Sequence, residues 1–134
     1  RALKPSGRFV AEFGGHGNVA AIATALRAAA WRFGGDPALA APWFNPTPAE
    51  YGAILERQRL RVDRILLAPR QTPLPTGIDA WLETFRKPFF DQFAGTNRGE
   101  AIAHVVDLLR PSLCDQGDQW MADYVRLRVH ATAI

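Results

Sequence analysis

The sequence predicts an α/β fold in which strands and helices alternate, and three stretches carry that reading. The apolar run Arg8–Phe13 ends in Gly-Gly-His-Gly-Asn and gives way to an alanine-rich segment with helical spacing. Thr47-Pro48-Ala49-Glu50 is a full helix-start signal, a capping-box pair with proline at the first helical position. The closing run, Trp120–Ile134, alternates with the period of a strand. At 134 residues, 48% hydrophobic and 22% charged, the chain is long enough to bury a core; residues 1–134 read as a single domain and wholesale disorder is excluded.

The opening RALKPSG reads as a helix tail, Arg1 to Leu3, stopped by Pro5 and turned by Gly7. With no methionine at its head and a start on a helix tail, the chain reads as a fragment or a processed product. Arg8–Phe13, bounded by glycines, is a buried strand. Asn18 is placed to N-cap the helix that follows, whose inward stripe is Ile22, Leu26, Ala29, Ala30 and Phe33, and Gly34-Gly35 stops it. Residues 36–46 hold three prolines and form a loop carrying Trp43 and Phe44. The capped helix runs to about Arg59 with Tyr51, Ile54 and Leu55 inward. Arg61–Pro69 is a second strand, and QTPLPTG is a loop.

A helical segment at about 76–115 comes next. Ile78, Trp81, Leu82 and Phe85 make one face, and Phe89, Phe90 and Phe93 a short second one. Ile102, Val105, Val106 and Leu109 face inward from a helix over Glu100–Leu109, closed by Pro111 and DQGDQ. In the last strand Met121, Val125, Leu127, Val129 and Ala131 point one way, and Tyr124, Arg126, Arg128 and His130 the other.

Several function classes are disfavoured. The net charge is only +3, carried by arginine with Lys4 and Lys87 the only lysines, so a nucleic-acid partner is not argued for. Cys114 is the only cysteine, which excludes an internal disulfide and a cysteine zinc site and fits a reducing cytoplasm. No apolar run approaches the ~18 residues of a membrane span, and no signal peptide opens the chain. His104 and His130 have no metal-ligand spacing, so no metal is expected.

The glycine segment poses the main functional question. Gly15, Gly17 and Ala20 satisfy G-x-G-x-x-G/A, with Asp36 about twenty residues on, the spacing of a dinucleotide fingerprint. Asp36, however, begins a proline-rich loop, and the next strand arrives only at Arg61. Two readings remain. Either the glycines simply let a strand turn into a helix, or N–H groups at the helix N-terminus, beside His16, line a ligand site. The second is favoured here, although spacing does not separate them.

The candidate residues each carry two readings. His16 orients an acceptor or acts as a general base, or is a solvated turn residue. Asn18 contacts a ligand or caps a helix; Glu12 ends the strand facing a ligand or pairs with an arginine. Trp43, Phe44 and Tyr51 wall a substrate pocket or are core, and Tyr124 hydrogen-bonds a substrate or packs. Arg57, Arg59, Arg61 and Arg64 contact phosphates or form a solvated helix end.

RALKPSGRFVAEFGGHGN resembles the fifth-strand region of class I S-adenosylmethionine-dependent methyltransferases, with Ser6 where a glycine is common. E-F-G-G-H-G-N, PWFNPTPAEY, RQTPLPTG and WMADYVRLR together resemble the type 11, trans-aconitate methyltransferase-like group over essentially the whole chain. The resemblance implies the C-terminal portion of a Rossmann-like fold, strands five, six and seven, the last antiparallel between the other two, with 76–115 as an added helical segment. It implies S-adenosylmethionine as methyl donor, held by residues that precede Arg1, and hence no cofactor-binding residue in this chain. It also implies a small-molecule acceptor, with His16, Asn18, Trp43, Phe44 and Tyr124 as acceptor-side residues and the fragment alone inactive. Strand 8–13 would then have an open edge, expected to be covered in a homo-oligomer or swapped dimer. A non-enzymatic α/β module for oligomerisation or partner binding is the other reading of the same half-fold.

Overall fold

In the computed structural model, which describes residues 3–134, the alternation of the sequence becomes β1 (Arg8–Gly14), α1 (Ala20–Phe33), a 3-10 turn (Pro37–Ala40), α2 (Pro48–Arg57), β2 (Leu60–Leu74), α3 (Gly77–Phe85), α4 (Lys87–Phe90), α5 (Thr96–Leu113) and β3 (Trp120–Ala133). The expected helix tail at Arg1–Leu3 lies largely outside the described residues. The three strands form one antiparallel sheet with β3 between β1 and β2. This is the expected placement of the last strand. No helix among the described residues is long and apolar enough to cross a membrane.

The chain divides into two units. The first comprises residues 3–18, 44–70 and 124–134 and is built on the sheet. Arg8 pairs with Thr132 and Gly14 with Arg126, so Phe9, Ala11 and Phe13 lie on the same face as Ala131, Val129 and Leu127. That face packs with Leu60, Val62, Ile65 and Leu67 of β2 and with Leu55 and Tyr51 of α2. The inward residues of β2 change from even to odd between Val62 and Ile65. Asp63 and Arg64 therefore both project outward, as a one-residue bulge requires.

The second unit, residues 19–43 and 71–123, is helical. Ile22, Leu26, Ala29 and Ala30 of α1 are buried, as the stripe predicts, and Gly34 ends the helix in the left-handed conformation. Phe89, Phe90 and Phe93 are buried in edge-to-face contact.

Several expectations are corrected. Phe85 is more than half exposed, so the inward face of α3 is Ile78, Trp81 and Leu82. Helix α5 runs past Glu100–Leu109 at both ends and contains Pro111. Its buried stripe is Ala101, Val105, Leu109 and Leu113, with Ile102 and Val106 half-buried beside it. β2 extends into the expected QTPLPTG loop as far as Leu74; it tolerates Pro69 and Pro73 because it is an edge strand. In β3 the buried parity changes along the strand. Trp120 and Ala122 are buried in the second unit, and Leu127, Val129 and Ala131 in the first, so Met121 is not part of the inward face.

Candidate functional site

The turn from Gly14 to Val19 is shaped by its neighbours more than by any ligand. Gly15 is buried, and a Cβ there would stand 2.4 Å from Leu67 Cδ2 and 2.9 Å from Leu127 Cβ, so only glycine fits. Gly17 has φ +83°, the left-handed region that favours glycine. The Gly15 N–H donates to Val125 O (3.0 Å), the His16 N–H to Pro46 O (2.9 Å) and the Asn18 N–H to Gly15 O (2.9 Å). These bonds fix the backbone of His16 against the loop around Pro46, itself fully buried, and leave its imidazole exposed.

The start of α1 contradicts the expected cap. The N-cap position is Val19, in the left-handed conformation at φ 48°, and it makes no side-chain cap bond. A β-branched residue is strained there by about 1–2 kcal/mol. The cap comes instead from across the sequence: the Val19 N–H donates to Asp123 O (3.0 Å), and the Ala21 N–H donates to Asp123 Oδ2 (2.8 Å). Half burial pushes the Asp123 carboxyl above its ordinary value, opposed by the Ala21 bond. Asn18 does different work. Its Oδ1 accepts the Val125 N–H at 2.9 Å, so its side chain ties the turn to β3.

This also corrects the favoured reading of the glycines. The Gly15, His16, Asn18, Val19 and Ala21 N–H groups are all bonded within the protein, and a carboxylate already sits at the helix N-terminus. Most of the N–H groups that a cradle would use are therefore taken, and an anion at the start of α1 would meet the Asp123 carboxyl. The dinucleotide reading fails for the same reason, and because α1, the 3-10 turn and α2 intervene before β2.

His16, Asn18, Phe44 and Tyr124 all belong to the first unit, where the Pro46 and Val125 bonds tie the turn to the chain just after Phe44 and just after Tyr124. Beside them Glu50 completes its capping box with Thr47. Hydrogen bonds from the Thr47 backbone and side chain hold its carboxyl below the ordinary value, and the charge of His16 adds to this. Phe44 is 65% exposed, the accessibility a binding wall needs and a core residue lacks. Tyr124 is half-buried. Tyr51 is core: its ring meets Phe13 edge to face at 4.8 Å. Glu12 faces Arg70, Arg126 and Arg128 at 3.2–3.5 Å, the arginine-paired alternative in triplicate.

Trp43 belongs to the second unit. Its ring lies 4.7 Å from the Arg86 guanidinium, whose nitrogens donate to Leu39 O and Phe85 O. Arg86 is 5% exposed, and burial lowers its pKa. Sequence reasoning passed over it, because an arginine between an aromatic and Lys-Pro carries no local signal of burial. Of the arginine run, Arg61 pairs with Asp63 at 2.9 Å, and Arg57 and Arg59 are exposed. His104 meets the Phe33 ring edge to face at 5.9 Å. Among the described residues no three His, Cys, Asp or Glu side chains are grouped to hold a metal.

No family model matches the chain. Over 132 residues, 96% of its length, it is 30% identical to the uncharacterised methyltransferase C70.08c of Schizosaccharomyces pombe (strain 972 / ATCC 24843). The match spans 50% of that protein, so the chain covers about half the length of its curated relative. The chain is distantly and partially homologous to a methyltransferase.

Proposed function

We propose that this chain is the acceptor-side, C-terminal part of an S-adenosylmethionine-dependent methyltransferase acting on a small molecule, a carboxylate being the favoured acceptor. The observation that carries the proposal is the near end-to-end match of this chain to half of a methyltransferase. The sheet supports it. β3 is inserted antiparallel between β1 and β2, and β1 stands at an edge where further strands can add.

The residues here do not fit the methyl donor. The Gly15, His16, Asn18, Val19 and Ala21 N–H groups are engaged and Asp123 stands at the helix N-terminus, so the donor is assigned to none of them. What this chain contributes is position. His16, held by its backbone and exposed at its ring, is placed to orient an acceptor oxygen or to take its proton. Phe44 supplies apolar surface, and Tyr124 a hydroxyl. A carboxylate acceptor is already nucleophilic and leaves His16 an orienting role alone.

The test is methyl transfer by the complete protein from labelled S-adenosylmethionine to a panel of small carboxylic acids. His16→Ala is expected to lower kcat/KM by about tenfold where it orients, and by about a hundredfold or more where it takes a proton. An unchanged kcat/KM in that variant, or label found only on macromolecules, refutes the reading.

A further inference from the structure

The outer face of the sheet in the first unit is charged, and the alternation of β3 decides which residues carry that charge. Register pairs Val10, Glu12 and Gly14 of β1 with His130, Arg128 and Arg126 of β3, so all point away from the Leu127–Ala131 core. Glu12 faces three guanidiniums, Arg70 Nη1 at 3.5 Å, Arg126 Nε at 3.5 Å and Arg128 Nε at 3.2 Å. Arg128 is thereby anchored through Nε, and its two terminal nitrogens bond no other described residue.

The bulge at Asp63–Arg64 adds one more cation. It turns Arg64 onto this face, where Arg64, Leu66, Arg128 and His130 line a small hollow. Among the described residues, neither the Arg64 nor the His130 side chain has a hydrogen-bond partner. The acids nearby are engaged elsewhere: Asp63 accepts from Arg61 Nε and Thr132 Oγ1 and adds a field at His130, and Glu12 is shared among its arginines. Two guanidiniums and an imidazole border the hollow, and no carboxylate lines it.

We propose that this hollow is an oxyanion site that takes a phosphoryl group, either free phosphate or a small phosphate monoester. One arginine fork satisfies both oxygens of a carboxylate. A phosphoryl group has three oxygens, enough to engage both arginines and the His130 ring N–H, with Leu66 as the apolar wall. The site shares no residue with the glycine-turn site, and it does not depend on the methyltransferase reading.

The experiment is calorimetric titration of the complete protein, at low ionic strength, with inorganic phosphate and with phenyl phosphate, while the His130 ring protons are followed by NMR. Saturable binding that shifts the His130 ring is expected, with Arg64→Gln and Arg128→Gln each weakening it about tenfold or more. Arg57→Gln removes the same charge from an exposed helix end and is expected to leave binding unchanged. Tighter phenyl phosphate assigns the site to a monoester, and tighter inorganic phosphate to the free ion. Equal weakening by Arg57→Gln, absence of saturation at millimolar phosphate, or binding only of an oligonucleotide overturns the proposal. A variant that loses its fold is replaced by the wild-type His130 titration, where an unmoved ring is equally refuting.

Discussion

Removing the Asp123 carboxylate is the sharpest test of how the glycine turn is built. Its Oδ2 accepts the Ala21 N–H at 2.8 Å, and its main-chain oxygen accepts from Val19. Asp123→Ala removes only the first of these, a side-chain cap worth about 1–2 kcal/mol. For a domain of this size that is a fall in Tm of roughly 3–10 °C. Asp123→Asn keeps an acceptor and removes a charge that half burial disfavours, so at neutral pH it is expected to cost less than Asp123→Ala. Urea denaturation measures these differences, and amide exchange locates them. Asp123→Ala should accelerate exchange at Ala21 and along the first turn of α1, whereas Asn18→Ala should accelerate it at Val125. The pH dependence has a definite sign. Burial raises the native pKa of Asp123, so this carboxyl favours the folded state most at acid pH, and that advantage is lost as pH rises through its native value. Wild type should therefore lose stability relative to Asp123→Asn as pH increases above about 4. If Asp123→Ala matches wild type while Asn18→Ala frays α1, the cap is Asn18 after all and the reasoning fails.

Gly15→Ala should destabilise by about 1–3 kcal/mol in urea unfolding, because its Cβ meets Leu67 and Leu127 and must force the core apart. Acidification should destabilise the protein as a whole. Thr47 holds Glu50 below its ordinary value, Thr132 and Arg61 do so for Asp63, Arg98 for Glu83, Lys87 for Asp91, and Arg110 for Asp118. Their contribution is fully present above the unfolded values near 4 and is lost as pH falls through the native ones, so thermal melts from pH 6 to pH 3 should show a progressive fall. High salt should blunt the ion-paired part of it, since these groups are exposed.

Much of the fold was legible because its determinants are local. The Thr47–Glu50 capping box, the Gly34 stop and the stripe of α1 are written within a few residues of where they act. The alternation of β3 told which residues face the core only from Leu127 onward. Before that the strand serves a second core, and no periodicity announces which neighbour a strand will meet. The extension of β2 beyond Pro69, with Pro73 inside it, was hidden because a proline within a strand is acceptable only at a sheet edge, a property of topology. The site divides in the same way. His16 is exposed as a turn histidine is expected to be, and Phe44 is exposed where the sequence left core as one reading, while Arg86 under Trp43 and Glu12 among three arginines depend on residues dozens of positions away.

The cap of α1 shows why a glycine turn before a helix is poor grounds for a cofactor loop. An uncapped N-terminus attracts a phosphate because its N–H groups lack partners and the helix dipole favours negative charge. Both needs are met here by one residue more than a hundred positions away. Asp123 brings the charge and accepts one of the free N–H groups, and its own main-chain oxygen takes a second. A ligand anion at that terminus would have to displace a carboxylate that already has the same sign and the same partner. Asn18, the residue whose type and position best suit a cap, is thereby released to bond Val125 and hold the turn against the sheet. Two hydrogen bonds thus divide the work that one cap was expected to do: Asp123 closes the helix, and Asn18 ties the turn that carries His16 to β3.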